Sequence, residues 1–340
     1  MIRVFRKIRK KLLGEGRLAK YFFYLTGEVV LVVIGVLIAL AINNANERSK
    51  SRAKIQNILL QVQAELKTNL DSGIGILEEL MSKDSLIHLV MNDLYTSSED
   101  IRKNRDLVNL VNQYEIFNIQ DNAFKALIAE SENIPVKYDS ILIQLNDIYV
   151  SRKSWVENAD SETQRIVLRH WDWEISNTDW FSDKYFRDRE LPDEQMEFYM
   201  ESSYYKNVVY DYFNSALENQ YPRILKFCTE AYRCYDSISE QLAEEGVNKN
   251  NVQVLPYDYV VPEDLVGDYL GDFGESSIYE AENHLIFKNN GVKSLVIPVG
   301  ENKFIGAYGM FCYLEFNEEK QLIGFRGRYG NEGWSFRKIY

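Results

Sequence analysis

The chain has 340 residues, too many for one small core, and its 46% hydrophobic and 26% charged content is that of a folding sequence rather than a disordered one. Its formal net charge is -12, but the first 42 residues hold eight basic and two acidic side chains, leaving 31 basic against 49 acidic beyond them, a net of -18. A body so acidic argues against nucleic acid, or an anionic lipid face, as its partner.

In chain order, residues 1–20 form a basic segment. Arg3, Arg6, Lys7, Arg9, Lys10, Lys11, Arg17 and Lys20 stand against Glu15 alone, with Val4, Phe5, Ile8, Leu12 and Leu13 available for one apolar side. This reads as a topology signal lying at the cytoplasmic interface, because positively charged flanks stay inside. Residues 21–42 follow, 22 residues with one charge, about 33 Å as a helix at roughly 1.5 Å per residue and so long enough for a bilayer core. A cleaved signal peptide is the competing reading. Ala39, Ala41 and Ala45 are followed by unbroken helix-forming sequence rather than by a small-x-small cleavage site and a new start, so a retained anchor is expected. In a bacterium this places the chain in the inner membrane, with the N-terminus cytoplasmic and the body periplasmic.

Residues 43–245 read as helices. AINNANERSKSRAK contains no Gly or Pro, so the span should continue as one helix. From Ile55 the apolar positions step by three and four through Leu59, Val62, Leu66, Leu70, Leu77, Leu80 and Ile87, with local loosening expected at Gly73 and Gly75. Ser97–Asp100 (SSED) caps a second segment through Leu107, Leu110, Val111 and Tyr114, and Asn122–Glu130 starts again. Pro135 opens a third helix running to Trp171 and Trp173. A fourth begins near Pro192 and should kink or divide at Pro222. Four such segments make an antiparallel helical bundle the economical arrangement.

Residues 246–261 are a polar linker, and beyond them the period changes. VGDYLGDF, SSIYEA, HLIFK, SLVIPV, KFIGA, CYLEF, QLIGFRGRY and WSFRKI are short alternating runs parted by turn signals such as Asn289-Asn290-Gly291 and Asn317-Glu318. Residues 262–340 are thus expected to form a small antiparallel β-barrel or sandwich. The fold class is a membrane-anchored α+β protein.

Two stretches carry resemblances. FRKIRKKLLGEGRLAKYFFYLTGEVVLVVIGVLIALAINNANE resembles the N-terminal signature of a family of uncharacterised bacterial single-span membrane proteins with a basic FRKIR start and a GEVVLVVIGVLIAL span. NAFKALIAESENIP resembles a recurring piece of that family's helical body, with Ser131-Glu132 standing where the pattern has Ser-Gly. The resemblance implies topology and little more. The last 75 or so residues, through LVGDYLGDF, LIFKNNG and LVIPVGENKF, are similar to the small β-barrel domain appended to some β-lactamase-like hydrolases, but no Ser-x-x-Lys precedes them.

Candidate sites are few. At 100° per residue, Gly35 and Ala39 lie within about 20° of Glu28, so one face presents a carboxylate and two small residues. Either this face meets another transmembrane helix, its own copy's or a membrane partner's, or Glu28 snorkels to the headgroups beside Lys20. His170 and Glu174 stand one turn apart, a geometry for a metal or a proton exchange, or for a satisfied core histidine. Trp155, Trp171, Trp173 and Trp180, with Tyr149, Phe181, Tyr185 and Phe186, form either an aromatic ligand pocket or bundle core. Arg326, Arg328 and Arg337 alternate with aromatics, as an acid-binding face or as solvated outward residues. Cys228, Cys234 and Cys312 read as small buried hydrophobes. With no GxSxG, no metal-ligand spacing and no Gly-rich phosphate loop, no enzyme and no cofactor is expected. The expected role is an interaction or accessory component. The alternative is a periplasmic ligand-binding sensor that signals through a membrane partner.

Overall fold

The computed structural model describes residues 18–94, 97–103, 105–182, 192–247, 263–281, 284–300, 302–306, 310–329 and 332–339. Most of the basic start, most of the polar linker, and Tyr185 and Phe186 lie outside them. The architecture is α+β: one long helix with an apolar start, several further helices, and a closed barrel of eight antiparallel strands. The chain divides into two compact units, one running up to Asn57 together with Glu130–Pro135, the other comprising Ile58–Ala129 and the chain from Val136.

Helix α1 (Leu18–Met91) is continuous for 74 residues. In the first unit, its apolar run is exposed on every side: Val29 57%, Leu31 68%, Ile34 45%, Leu37 58%, Leu40 53% and Ile42 65%. A soluble helix buries one stripe, so a helix apolar all round is built for an apolar surround. It is long and apolar enough to cross a membrane, with a mean hydropathy of 2.7 over its most apolar window and none of that window buried.

In the second unit α1 changes character. Leu59, Val62, Leu66, Leu70, Leu77, Leu80 and Ile87 are buried in the expected phase. The expected loosening at Gly73 and Gly75 does not occur, and the helix runs straight through. At Gly73 the reason is packing. A Cβ there would stand 2.6 Å from the Cys228 Sγ and 2.9 Å from the Phe117 ring, so only glycine lets the partner helix and the Phe117 segment approach.

The second expected segment is mostly not helical. It forms two short helices, α2 (Ser98–Lys103) and α3 (Arg105–Val108), and then runs non-helically to Asp121 before α4 (Asn122–Ala129). The third is as expected: α5 (Asp139–Asn146), a π-helical turn (Asp147–Arg152) and α6 (Lys153–Asn177) make one uninterrupted rod. The fourth breaks at Ser202, whose extended backbone parts α7 (Asp193–Glu201) from α8 (Ser203–Tyr212) and whose hydroxyl accepts from the Tyr205 amide. Pro222 does not divide the chain. A π-helical stretch (Phe213–Gln220) precedes α9 (Tyr221–Glu244), with the Tyr221 amide donating to the Ala216 carbonyl, and Pro222 falls in the first turn of α9, where a missing amide donor is tolerated.

The pairing of contacts gives the helix directions. Tyr138 meets Glu245, Asp160 meets Gln220, Thr163 meets Ser215 and Glu174 meets Tyr199, so the α5–α6 rod runs antiparallel to the α7–α9 chain. Gln63 meets Ser239 and Lys83 meets Tyr212, so α1 is antiparallel to it as well. Among the described residues the bundle thus has three long members, not four.

All eight alternating runs become strands: β1 (Gly267–Gly271), β2 (Gly274–Ala281), β3 (His284–Asn289), β4 (Val292–Gly300), β5 (Lys303–Gly306), β6 (Met310–Phe316), β7 (Leu322–Tyr329) and β8 (Glu332–Ile339). Each pairs with its neighbour and β1 pairs with β8, which closes the ring and leaves no edge. The Asn290-Gly291 turn has positive φ at both residues, as a tight hairpin of that hand requires. The interior holds Tyr269, Phe287, Phe304, Phe325 and Phe336, each at most 2% exposed, so side chains fill it. Gly324 is needed beside β8, where a Cβ would fall 2.1 Å from the Phe336 carbonyl oxygen.

Candidate functional site

The sequence points first to the face bearing Glu28, Gly35 and Ala39. All three lie on α1 within the exposed apolar run; Gly35 and Ala39 are exposed, Glu28 is half-exposed, and a Cβ at Gly35 would touch nothing within 4 Å.

The His170 and Glu174 pair is brought together, but inside the bundle. His170 Nε2 lies 3.3 Å from Glu174 Oε1, both side chains are at most 1% exposed, and Tyr199 donates to the same carboxylate oxygen at 3.4 Å. Tyr204 and Tyr205 pack beside the imidazole. Burial, with the carboxylate adjacent, raises the Tyr199 hydroxyl well above its ordinary range and keeps it a donor. His170 is thus a buried core histidine within ion-pair range of Glu174, but neither ring nitrogen makes a hydrogen bond among the described residues, so the expectation of a satisfied one is not met. Among the described residues no three His, Cys, Asp or Glu side chains gather as a metal site would require.

The tryptophans separate. Trp173 stacks on Tyr204 at 3.9 Å and on Phe198, and Trp180 packs against Phe198 and Tyr199, so these two belong to one end of the bundle core. Trp155 is 48% exposed beside Arg152. Tyr149 stacks on Phe124 instead. The three cysteines are buried, and burial drives the Cys228 thiol up to about 12 and the other two higher still.

Sequence reasoning passed over the most elaborate polar arrangement in the body. The segment from Gln113 to Asp121 threads the bundle without helix or sheet to satisfy its backbone, and buried side chains do so instead. Asn69 pairs with Gln120 as a strand would, donating Nδ2 to its carbonyl at 2.8 Å and accepting its amide at 2.9 Å. Asp160 accepts from the Phe117 amide at 2.9 Å and from Gln220 Nε2 at 2.8 Å, and the same Gln220 nitrogen donates to the Glu115 carbonyl. Lys83 donates to the Gln113 carbonyl at 3.5 Å and to the Tyr212 hydroxyl at 3.2 Å. Just beyond, Glu65 accepts from the Ala123 and Phe124 amides at the start of α4. Desolvation lowers the Lys83 ammonium, with Glu79 and Glu115 opposing, and raises the Asp160 carboxyl against its two hydrogen bonds. The available signal was phase. Asn69 falls three residues after Leu66 and four before Gly73, on the apolar stripe.

These latches are structural, and their loss is measurable. Asn69→Ala removes the side-chain partner of both the Gln120 amide and the Gln120 carbonyl, and Asp160→Ala leaves the buried Phe117 amide without a partner and takes one of the two acceptors of Gln220 Nε2, for an expected loss of about 1–3 kcal/mol each in chemical denaturation. The raised carboxyl fixes a sign for Asp160. A group whose folded-state pKa lies above its unfolded value contributes fully below that unfolded value and loses its contribution as pH rises through the folded one. The gap between wild type and Asp160→Ala is therefore expected to be widest in acid and to narrow toward neutral pH.

Within the second unit, one cavity lies between the Met81–Ser85 stretch of α1 and the barrel. Its volume is about 600 Å³, a size that takes small molecules. Asp84 and Ser85 of α1 line it with Tyr313, Glu315, Arg326 and Trp334. Tyr313, Arg326 and Ser335 are direct cross-strand neighbours, and Arg326 lies 3.8 Å from Glu315 with its side chain 68% exposed. Of the alternating arginines, then, Arg326 faces a cavity and Arg337 faces solvent; the Arg328 side chain lies outside the described residues. Comparison of the chain with family models, curated proteins and solved structures finds no match in any of the three.

Proposed function

We propose that the protein is a single-pass membrane protein of the bacterial inner membrane, N-terminus cytoplasmic and body periplasmic, acting as a non-catalytic interaction or accessory component. The observation that carries this is the exposed apolar run of α1, whose helix continues without a break into residues that pack in the bundle. A segment cleaved as a signal sequence has no need to share one helix with the mature core. The eight basic residues before the run, against Arg48, Lys50, Arg52 and Lys54 just after it, support the orientation. The Glu28, Gly35 and Ala39 face is the contact we assign to a membrane partner, with the bilayer or with a second copy or partner helix packed on it.

The test is crosslinking in intact cells, purification through a C-terminal tag and mass spectrometry, comparing wild type with Glu28→Leu. A stoichiometric membrane partner, recovered with wild type and reduced at least severalfold with the variant, is the expected result. Equal yields from the two chains sink the contact face. The second reading, a ligand-binding sensor, is favoured by the cavity beside Tyr313 and Arg326, whose wall includes Asp84 and Ser85 of the same helix. Recovery of the chain alone, or as its own oligomer, moves the weight to that cavity.

A further inference from the structure

Immediately beyond the apolar run, α1 carries Arg48, Lys50, Arg52 and Lys54. They line a groove of about 650 Å³ together with Glu130 and Asn133, all within the first unit. The cations are not equivalent. Lys50 is offset by Glu47 at 3.5 Å, and Lys54 is held by Glu130 at 2.7 Å, with Asn133 donating to the other oxygen of that carboxylate. Arg48 and Arg52, one turn apart on the same face and both exposed, have no hydrogen-bond or ion-pair partner among the described residues. Glu47 and Glu130 are thus engaged by lysines; Glu132 also lines the groove, and neither guanidinium group makes an ion pair with it.

Their height decides what they meet. Arg48 stands six residues past Ile42, about 9 Å along the helix, and Arg52 about 15 Å. The polar layer of a bilayer is roughly 5–7 Å thick on each side. Helical side chains tilt toward the N-terminus, here back toward the bilayer, and an arginine stem lies along apolar surface while its head seeks polar contacts. The Arg48 guanidinium therefore reaches the phosphate level, where its planar fork matches phosphate oxygens in pairs, and Arg52, one turn farther out, adds its charge behind it. The net charge of -18 on the body does not oppose this, because exposed charges more than about 10 Å away are largely screened at physiological salt.

We infer that Arg48 and Arg52 form a binding site for the phosphate of an anionic phospholipid headgroup in the leaflet opposite the N-terminus. The inference rests on the membrane-spanning reading above. The test uses the full chain in neutral detergent, titrated with phosphatidylglycerol and, separately, phosphatidylcholine, with bound lipids counted by native mass spectrometry. Wild type is expected to retain phosphatidylglycerol in preference to phosphatidylcholine, and Arg48→Gln/Arg52→Gln to weaken that retention about thirtyfold, roughly fivefold per cation, at an unchanged melting temperature. Lys50→Gln/Lys54→Gln, which removes the neutralised cations, is expected to change it less. Equal retention of both lipids, an unaffected arginine variant, or inorganic phosphate bound as tightly as phosphatidylglycerol overturns the site. Failure of the spanning reading has a different signature: release of the wild-type chain from membranes by alkaline carbonate.

Discussion

Replacing Val33 and Leu37 together by lysine is expected to release the chain from the membrane. The large apolar side chains from Val29 to Ile42 are eleven in number, and on an insertion scale each contributes about -0.3 to -0.6 kcal/mol, or roughly 3–7 kcal/mol in favour of the bilayer. Two lysines near the middle cost about 2.5–3.5 kcal/mol each and also remove two of the favourable contributions. The swing of about 6–8 kcal/mol equals or exceeds the whole gain, so insertion fails rather than weakens. Both positions lie on the side of the helix opposite Glu28, so the proposed contact face is untouched. Alkaline carbonate extraction followed by fractionation measures the outcome. The wild type is expected in the membrane pellet and the double variant in the supernatant or degraded. A variant that stays in the pellet removes the anchor from the proposal, because some other surface then holds the chain.

Apolar periodicity made much of this fold legible. Eight alternating runs separated by Asn, Glu and Gly became eight strands because a period of two admits one pairing register per face, and closure followed from the absence of any run long or polar enough to serve as an edge. The apolar run of α1 was legible for the complementary reason, since only a uniform apolar surround suits a helix with no polar side. The second helical segment misled because Leu107, Leu110, Val111 and Tyr114 keep helical spacing. Buried side chains contributed by distant helices, Asn69, Asp160 and Gln220, offer the backbone of residues 113–121 the hydrogen bonds a helix would have supplied. No local pattern encodes that exchange. Gly73 misled in the opposite direction. Glycine lowers helix propensity, but here it admits Phe117 and Cys228, and tertiary packing outweighs the roughly 1 kcal/mol that propensity costs. The pairing of His170 with Glu174 was legible as geometry, whereas its burial depended on Tyr199, Tyr204 and Tyr205 arriving from the fourth segment. The cavity lined by Arg326 was legible only as an arginine alternating among aromatics, since its other wall comes from α1, more than two hundred residues earlier.

Truncating Phe325 to alanine is expected to unfold the barrel while the helices remain. Its ring is fully buried and touches four others: Phe336 stacked at 4.8 Å, Tyr269 at 5.1 Å, Phe304 at 5.2 Å and Phe287 at 6.1 Å. Loss of a buried phenylalanine costs about 3–5 kcal/mol through lost transfer and the cavity left behind. The edge-to-face neighbours add their own share, of order 0.5–1.5 kcal/mol per pair. The barrel is small, and a domain of this size has only about 5 kcal/mol in hand. Relaxation cannot recover much of the loss, because Gly324 fixes β7 against β8 too closely for either strand to move inward. Limited proteolysis with detection at a C-terminal tag is the direct assay. Wild type is expected to resist, and Phe325→Ala to lose the tag rapidly while the helical signal in far-ultraviolet circular dichroism stays near that of wild type. Loss of the helical signal together with the tag would show instead that barrel and bundle fold as one cooperative unit, with the cost of Phe325 carried by both.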